Sequence, residues 1–309
     1  MDEQHNQFPP TDMQNIAPRI GIAPKTVQPA GNPLAKHFRQ PAIYISLPSR
    51  GAFWEPGSLE IPESGEVAVY PMTTKDEITL RTPDALMNGQ GVVEVIQSCI
   101  PAIKNAWKMP SVDTDVTLMA LRIASYGHNM EFEGTCPKCD ETHSYAMDLR
   151  MLMSSIKCPD YNQIMDLQAV NIKFRPQSYL QTTQVGKAQF ELQRYEKMIQ
   201  QLDDDNLSEK TKVAGQQVRR LNELAIDILT NSTEYIIDVE SAAKIDRKEY
   251  IKEFYNNIDS KVINEINDWL GELMKDGNAK MQKVNCAGCG DEIELQIIFD
   301  YANFFVAGF

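Results

Sequence analysis

Apolar and polar residues alternate over short stretches in the first half of the chain and recur at helical spacing over long ones in the second. Ile43, Tyr44 and Ile45 are strand formers, and Pro48 with Gly51 breaks their run, which predicts a short strand. GEVAVYPM, from Gly65, predicts a second. Thr74 stands three residues before Glu77, the spacing of a capping box, and opens a short helix that Pro83 stops. In GVVEVIQSCI, Val93, Ile96 and Ile100 share a helical face, with Cys99 beside them as a buried apolar thiol. PSVDTDVTLMALRIASYG predicts the clearest helix of this half. Ser111, Asp113 and Thr114 offer caps, Leu118, Leu121 and Tyr126 contribute to an apolar stripe, and Gly127 suits the residue after the helix. AVNIKFRP predicts one more strand.

From Gln177 the pattern changes. Two long polar segments of helical period follow, joined by the acidic turn DDDN. Leu180, Val185, Phe190, Leu192 and Met198 form an imperfect stripe in the first; Val213, Val218, Leu221, Leu224 and Ile228 form a better one in the second. DRKEYIKEFYNNI and SKVINEINDWLGELM predict two further helices, the latter capped by Ser260. A helical block of this length is too long for a loop and predicts an inserted bundle or antiparallel hairpin. The first 40 residues carry six prolines and little periodicity. They predict an extended arm, either a mobile tail or a segment that orders on a partner.

The chain has 309 residues, enough for about two domains, with 42% hydrophobic and 24% charged residues. Its formal charge of -13 repels a phosphate backbone, and the densest basic group, Arg219–Arg220, is isolated in a helix. Nucleic acid is therefore not an expected partner. No apolar run is long enough to cross a bilayer, so no membrane is expected, and the acidic, polar start carries no signal-peptide core. These features predict a protein kept in a cytoplasm, where thiols stay reduced and paired CxxC motifs point to metal rather than disulfides.

Two such motifs stand far apart. Cys136 and Cys139 lie between alternating segments, and Cys286 and Cys289 repeat the spacing, with 146 residues between Cys139 and Cys286. Strand, knuckle, strand is the form in which two thiolates meet one zinc at about 2.3 Å, and two knuckles complete a four-thiolate site closed to substrate. Gly290 suits the positive φ of a knuckle. The four cysteines are therefore the expected ligands of a structural Zn2+ that clasps the base of the helical insertion. His143 replacing one thiol, or Cys158 completing a local site with Cys136 and Cys139, are alternatives that leave the second CxxC unexplained. A thioredoxin-type pair needs a helix N-terminus, which neither motif has.

No HExxH, GxSxG, phosphate-loop or GxGxxG pattern occurs among the residues, and NGQG near residue 90 reads as a turn. Asp113 with Asp115 suits a helix's opening turn, and Glu131 with Glu133 suits a solvated strand face. No catalytic residue is expected. Phe53 and Trp54, in a Gly- and Pro-flanked loop, and Phe304, Phe305 and Phe309 near the end are candidate anchors for a neighbouring subunit. The alternative for both groups is packing within the chain's own core.

The order ISLPSRGAFW, VAVYPMTTKDEITLRTPDAL, VIQSCI and DVTLMALRIASYG, running into the CPKC knuckle, resembles the baseplate hub-assembly proteins of contractile-tailed bacteriophages. The similarity covers about residues 40–160. Its most specific parts are LPS-x-G-x-F at 47–53 and PMTT-x-DE-x-x-L at 71–80. The resemblance implies a phage tail protein without enzymatic activity that helps to assemble the baseplate hub. It implies other tail or baseplate proteins as partners, an oligomer as one option, and a place in the host cytoplasm during assembly or in the virion tail.

The expected fold is α+β: a zinc-ribbon-like β domain built from both halves of the chain, with a helical insertion. The expected organisation is an arm at 1–40, an α+β domain at 41–176 plus 277–309, and the insertion at 177–276. Two rival functions remain at this level. A zinc-ribbon nucleic-acid-binding accessory factor would need a basic ribbon face, yet the knuckles carry only Lys138. A metal-dependent enzyme would lean on Glu131, Glu133 or His143.

Overall fold

Residues 32, 34–82, 89–201, 207–275 and 282–295 are described in the computed structural model. Strand β1 (Ile43–Ile45) pairs antiparallel with β2 (Val67–Val69), so that Ile45, Val67 and Val69 turn inward. Helix α1 (Thr74–Leu80) opens one residue earlier than the Thr74/Glu77 spacing suggests. Its capping box is Thr73 with Asp76: the Asp76 amide donates to the Thr73 hydroxyl, and the Thr73 amide donates to the Asp76 carboxylate at 2.8 Å. The choice between adjacent threonines follows from Asp76, which is buried and also held by Arg39, whereas Glu77 accepts from the Tyr126 hydroxyl.

Helix α2 (Gln90–Cys99) and helix α3 (Ser111–Tyr126) form where the apolar spacing predicts them. Gly127, at φ 92°, ends α3. The expected caps of α3 do not cap it. Pro110 holds the N-cap position, the Ser111 amide donates to the Gln177 carbonyl at 2.7 Å, and Asp113 points into the protein. A short helix α4 (Leu149–Ser155) completes this half. Ile96, Leu118, Met119, Leu121 and Leu149 lie at the centre of its core.

A second core is built on a sheet of four antiparallel strands in the order β5 (Ile164–Asp166), β6 (Val170–Phe174), β7 (Thr233–Asp238), β8 (Lys244–Ile245). Between β6 and β7 the chain makes the long hairpin of α5 (Tyr179–Gln201) and α6 (Leu207–Ser232). After β8, helices α7 (Lys248–Asn257) and α8 (Ser260–Met274) bring Ile251, Tyr255 and Ile266 onto Ile172, Phe174 and Ile236. Asp259, not Ser260, caps α8, its carboxylate accepting from the Lys261 amide at 2.9 Å.

The stretch after Gln177 is therefore not helical throughout. TEYIID is a β-branched and aromatic run, and it returns to β6 with Ile236 opposite Ile172. Helix-periodic flanks on both sides mask it in the sequence. The two cores adjoin at α3, whose Val112 packs in the second core while Val116, Leu118 and Leu121 pack in the first. The start of α5 is held to the first core, the Tyr179 amide donating to the Met109 carbonyl at 2.7 Å. Phe53, from the loop after β1, also packs with the second core, its ring centroid 5.4 Å from that of Tyr161. Among the described residues the fold is α+β, with eight α-helices and four small antiparallel sheets.

Candidate metal centre

Two β-hairpins carry the cysteines. Strand β3 (Asn129–Thr135) pairs with β4 (Thr142–Asp148) in register Thr135↔Thr142, and Cys136 and Cys139 lie in the turn between them. Strand β9 (Gln282–Asn285) pairs with β10 (Glu292–Leu295) in register Asn285↔Glu292, with Cys286 and Cys289 in the same place. Alternation on β3 and β4 sends Phe132 into the first core and Glu131 and Glu133 to solvent.

The two turns are built alike. The Cys136 amide donates to the Glu141 carbonyl at 2.9 Å, and the Cys286 amide to the Asp291 carbonyl at 2.7 Å. The amide after the second cysteine returns to the carbonyl of the first, Asp140 to Cys136 and Gly290 to Cys286, each at 2.9 Å. That return requires a positive φ at both positions, 57° at Asp140 and 78° at Gly290. Aspartate and glycine are residues that tolerate it.

The knuckles face one another. Cys136 Sγ lies 3.6 Å from Cys289 Sγ, Cys139 Sγ lies 3.6 Å from Cys286 Sγ, and all four sulfurs fall within 4.8 Å of one another. A tetrahedral site with Zn–S bonds of about 2.3 Å has sulfur–sulfur edges of about 3.8 Å, so the donor set fits a metal of that size. Cys136 and Cys286 are buried, Cys139 partly so, and Cys289 is exposed. Lys138 and Asp291 join the knuckles by an ion pair at 2.6 Å.

The thiols are electrostatically uneven. The Cys289 amide, with the Gly288 amide behind it, outweighs burial and draws the Cys286 thiol down to about 6. Cys139 is pushed up to about 12 despite the Glu141 amide, because burial and the three neighbouring thiols oppose its ionisation. Four thiolates at this distance require a cation between them, and supplying one is what a metal does.

The alternatives do not assemble. His143 Nε2 stands 3.3 Å from Glu141 Oε2, outside the four-sulfur cluster, and Cys158 packs against the second core. Phe53 and Trp54 are half-buried in the loop after β1. Phe53 lies against Tyr161, and Trp54 against the first core. Phe304, Phe305 and Phe309 lie outside the described residues.

Two organising residues escape the sequence reading. Asp113 is fully buried and accepts from the Ser49 amide (2.8 Å), the Ser49 hydroxyl (2.5 Å) and Trp54 Nε1 (2.8 Å), fixing the LPSRGAFW loop onto α3. Arg39, at the root of the N-terminal arm, donates to the Pro71 and Ser98 carbonyls at 2.9 and 2.7 Å and to Asp76 at 3.2 Å. For Asp113 the sequence offered only one of two acids in a helix's opening turn; for Arg39 there was no signal.

Comparison with known proteins adds one match: a family model described as T4 bacteriophage base plate protein fits residues 57–306. It contains the 71–80 stretch and both CxxC pairs, begins beyond the 47–53 loop, and runs through the long helices that the sequence resemblance leaves out. No curated protein and no solved structure matches the chain.

Proposed function

We propose, because the chain belongs to the T4 bacteriophage base plate protein family, that it is a non-enzymatic subunit of the phage tail, working in or toward the baseplate hub. Its partners are then other tail or baseplate proteins, met in the host cytoplasm during assembly and kept in the virion tail. The family match over 57–306 carries this reading. Two further observations agree with it. The four-sulfur cluster leaves no coordination position open to a substrate. Lys138, the one basic side chain in the knuckles, is committed to Asp291 rather than free for phosphate.

Within that role the metal is Zn2+, held by Cys136, Cys139, Cys286 and Cys289. Its work is mechanical: it ties the β9–β10 hairpin to β3–β4 across 146 intervening residues. The division into an arm at 1–40, a domain of 41–176 plus 277–309 and an insertion at 177–276 places one boundary between β6 and α5. Since β7 pairs back onto β6, the two units share a sheet. Phe53 and Trp54, half-exposed at the seam between the cores, are the edges offered to a neighbour.

The purified chain should hold one zinc, measured by mass spectrometry, and both Cys136→Ser and Cys286→Ser should lose it. Zinc that survives Cys286→Ser would overturn the paired-knuckle site. For the role itself, tagged protein from infected cells should co-purify with tail components. Normal particles assembled in its absence would rule the role out.

A further inference from the structure

Tyr145 stands at the middle of β4, opposite Phe132 on β3. Its ring packs two ways, against the first core and against the cluster that holds Cys136 and Cys286. The phenol oxygen at its tip is buried and has no hydrogen-bond partner among the described residues. An unpaired buried hydroxyl is costly, and native interiors rarely keep one. Phenylalanine would fill the same space without that cost.

The groups around the oxygen belong to the second knuckle. The Ala287 amide approaches it without reaching hydrogen-bond geometry. Burial raises the phenol above the usual tyrosine range; the Ala287 amide opposes the rise, and the Cys286 and then the Cys136 sulfur add to it. Of the cluster's thiols, Cys286 acts on the hydroxyl most strongly, by contact as well as by charge.

The chemistry of a loaded cluster supplies what the hydroxyl lacks. A thiol is a weak acceptor, whereas a thiolate takes a charge-assisted hydrogen bond. Four thiolates around a divalent cation carry surplus negative charge. On the solvent side Lys138, itself paired with Asp291, lies near enough to Cys289 and Cys136 to offset part of it. On the buried side the O–H of Tyr145 is the donor at hand. We propose that the Tyr145 hydroxyl donates a hydrogen bond to the Cys286 thiolate when the metal is bound, and so positions the second knuckle for coordination. The bond crosses the clasp, because β4 belongs to the first hairpin and Cys286 to the second. This role rests on the four-thiolate reading of the site and adds to it a residue that CxxC spacing does not reveal.

Tyr145→Phe keeps the ring and removes only the hydroxyl. In the full-length chain, zinc affinity measured by competition with a chromophoric chelator at pH 7 should fall about 10–100-fold, with one metal per chain retained. Loading with Co2+ gives a readout that ring packing does not move. Removing a donor from a thiolate raises the energy of its lone pair, so the sulfur-to-cobalt charge-transfer band of Tyr145→Phe should move to longer wavelength. A ring-fluorinated tyrosine at the same position, a stronger donor of nearly the same shape, should move it to shorter wavelength. Unchanged affinity, or a band indifferent to either change, overturns the proposal and leaves the four-thiolate site standing. A wild-type chain that takes up neither Zn2+ nor Co2+ overturns that site, and this role with it. Should Tyr145→Phe fail to fold, the fluorinated residue decides alone, and an unmoved band overturns the proposal.

Discussion

Asp113 and Asp76 are both buried carboxylates, and their surroundings move them in opposite directions. Burial raises Asp113 above the usual carboxylate range despite its bonds to Ser49 and Trp54. Burial also opposes ionisation of Asp76, but the Thr73 amide and hydroxyl, Ser98 and Arg39 together hold it below its ordinary value. A depressed carboxylate contributes stability that is fully present above an unfolded pKa of about 3.9 and is lost as pH falls through the lower folded value. Wild type should therefore exceed Asp76→Asn in denaturant stability at pH 7, and the gap should close below about pH 4. A gap that stays constant to pH 3 would show that Arg39 does not act through the ionised form. Asp113 has the other sign, its contribution growing as pH falls, and its main effect is geometric. Asp113→Ala leaves the Ser49 amide and Trp54 Nε1 without their acceptor, at about 1–3 kcal/mol for each buried orphan. A loss of about 2–4 kcal/mol in urea unfolding is expected, with quenching or shift of Trp54 fluorescence. At this scale the sequence offered residue types but not partners. Asp113 reads equally well as the dipole-friendly acid of a first turn, because its acceptor role is defined by a loop 64 residues away.

Elements were more legible than their ends. Where an apolar stripe faces a core, as in α2 and α3, spacing alone locates the helix, since burial on one side is what stabilises it. Caps were misplaced by one residue at α1 and α8 because adjacent Thr73/Thr74 and Asp259/Ser260 are all competent acceptors for a first-turn amide, and tertiary contacts choose between them. The change from α6 to β7 was missed altogether, and the structure shows what enforces it. Lys248 Nζ donates to the Thr230 and Asn231 carbonyls at 3.1 and 3.5 Å, in the last turn of the 26-residue helix α6, and to the Thr233 carbonyl that opens β7. A cation in that position satisfies orphan carbonyls and opposes the helix dipole, worth up to about 2 kcal/mol when partly buried. Lys248→Met keeps much of the stem and removes the charge. It should cost about 1–2 kcal/mol and speed amide exchange in the last turn of α6 and the first residues of β7. Exchange that accelerates only in α7, where Lys248 itself resides, would contradict the capping role.

Over the whole molecule, the four-cysteine cluster was readable because its residues are spelled in covalent letters, and thiol spacing survives any insertion placed between the pairs. What the letters do not contain is which core the clasp supports. The cysteine cluster packs with Tyr145 and Val284, both of which also touch the first core, and among the described residues it shares none with the second. Closing a loop of this length removes roughly 5 kcal/mol of unfolded-chain entropy in the cross-link picture. A metal held there would deliver that stabilisation where the hairpins meet, not at the four-stranded sheet. Removal of the metal by a chelator at pH 7 should therefore act unevenly. Amides of β9, β10 and the knuckle ends of β3 and β4 should exchange faster, while β6, β7 and the buried face of α7 keep their protection, held by Ile172, Ile236 and Ile251. Hydrogen exchange with and without chelator measures this directly. Equal acceleration in both cores would mean that the metal governs one cooperative unit. No change in β9 and β10 would mean that the knuckles hold together without it, and the clasp would have to be abandoned.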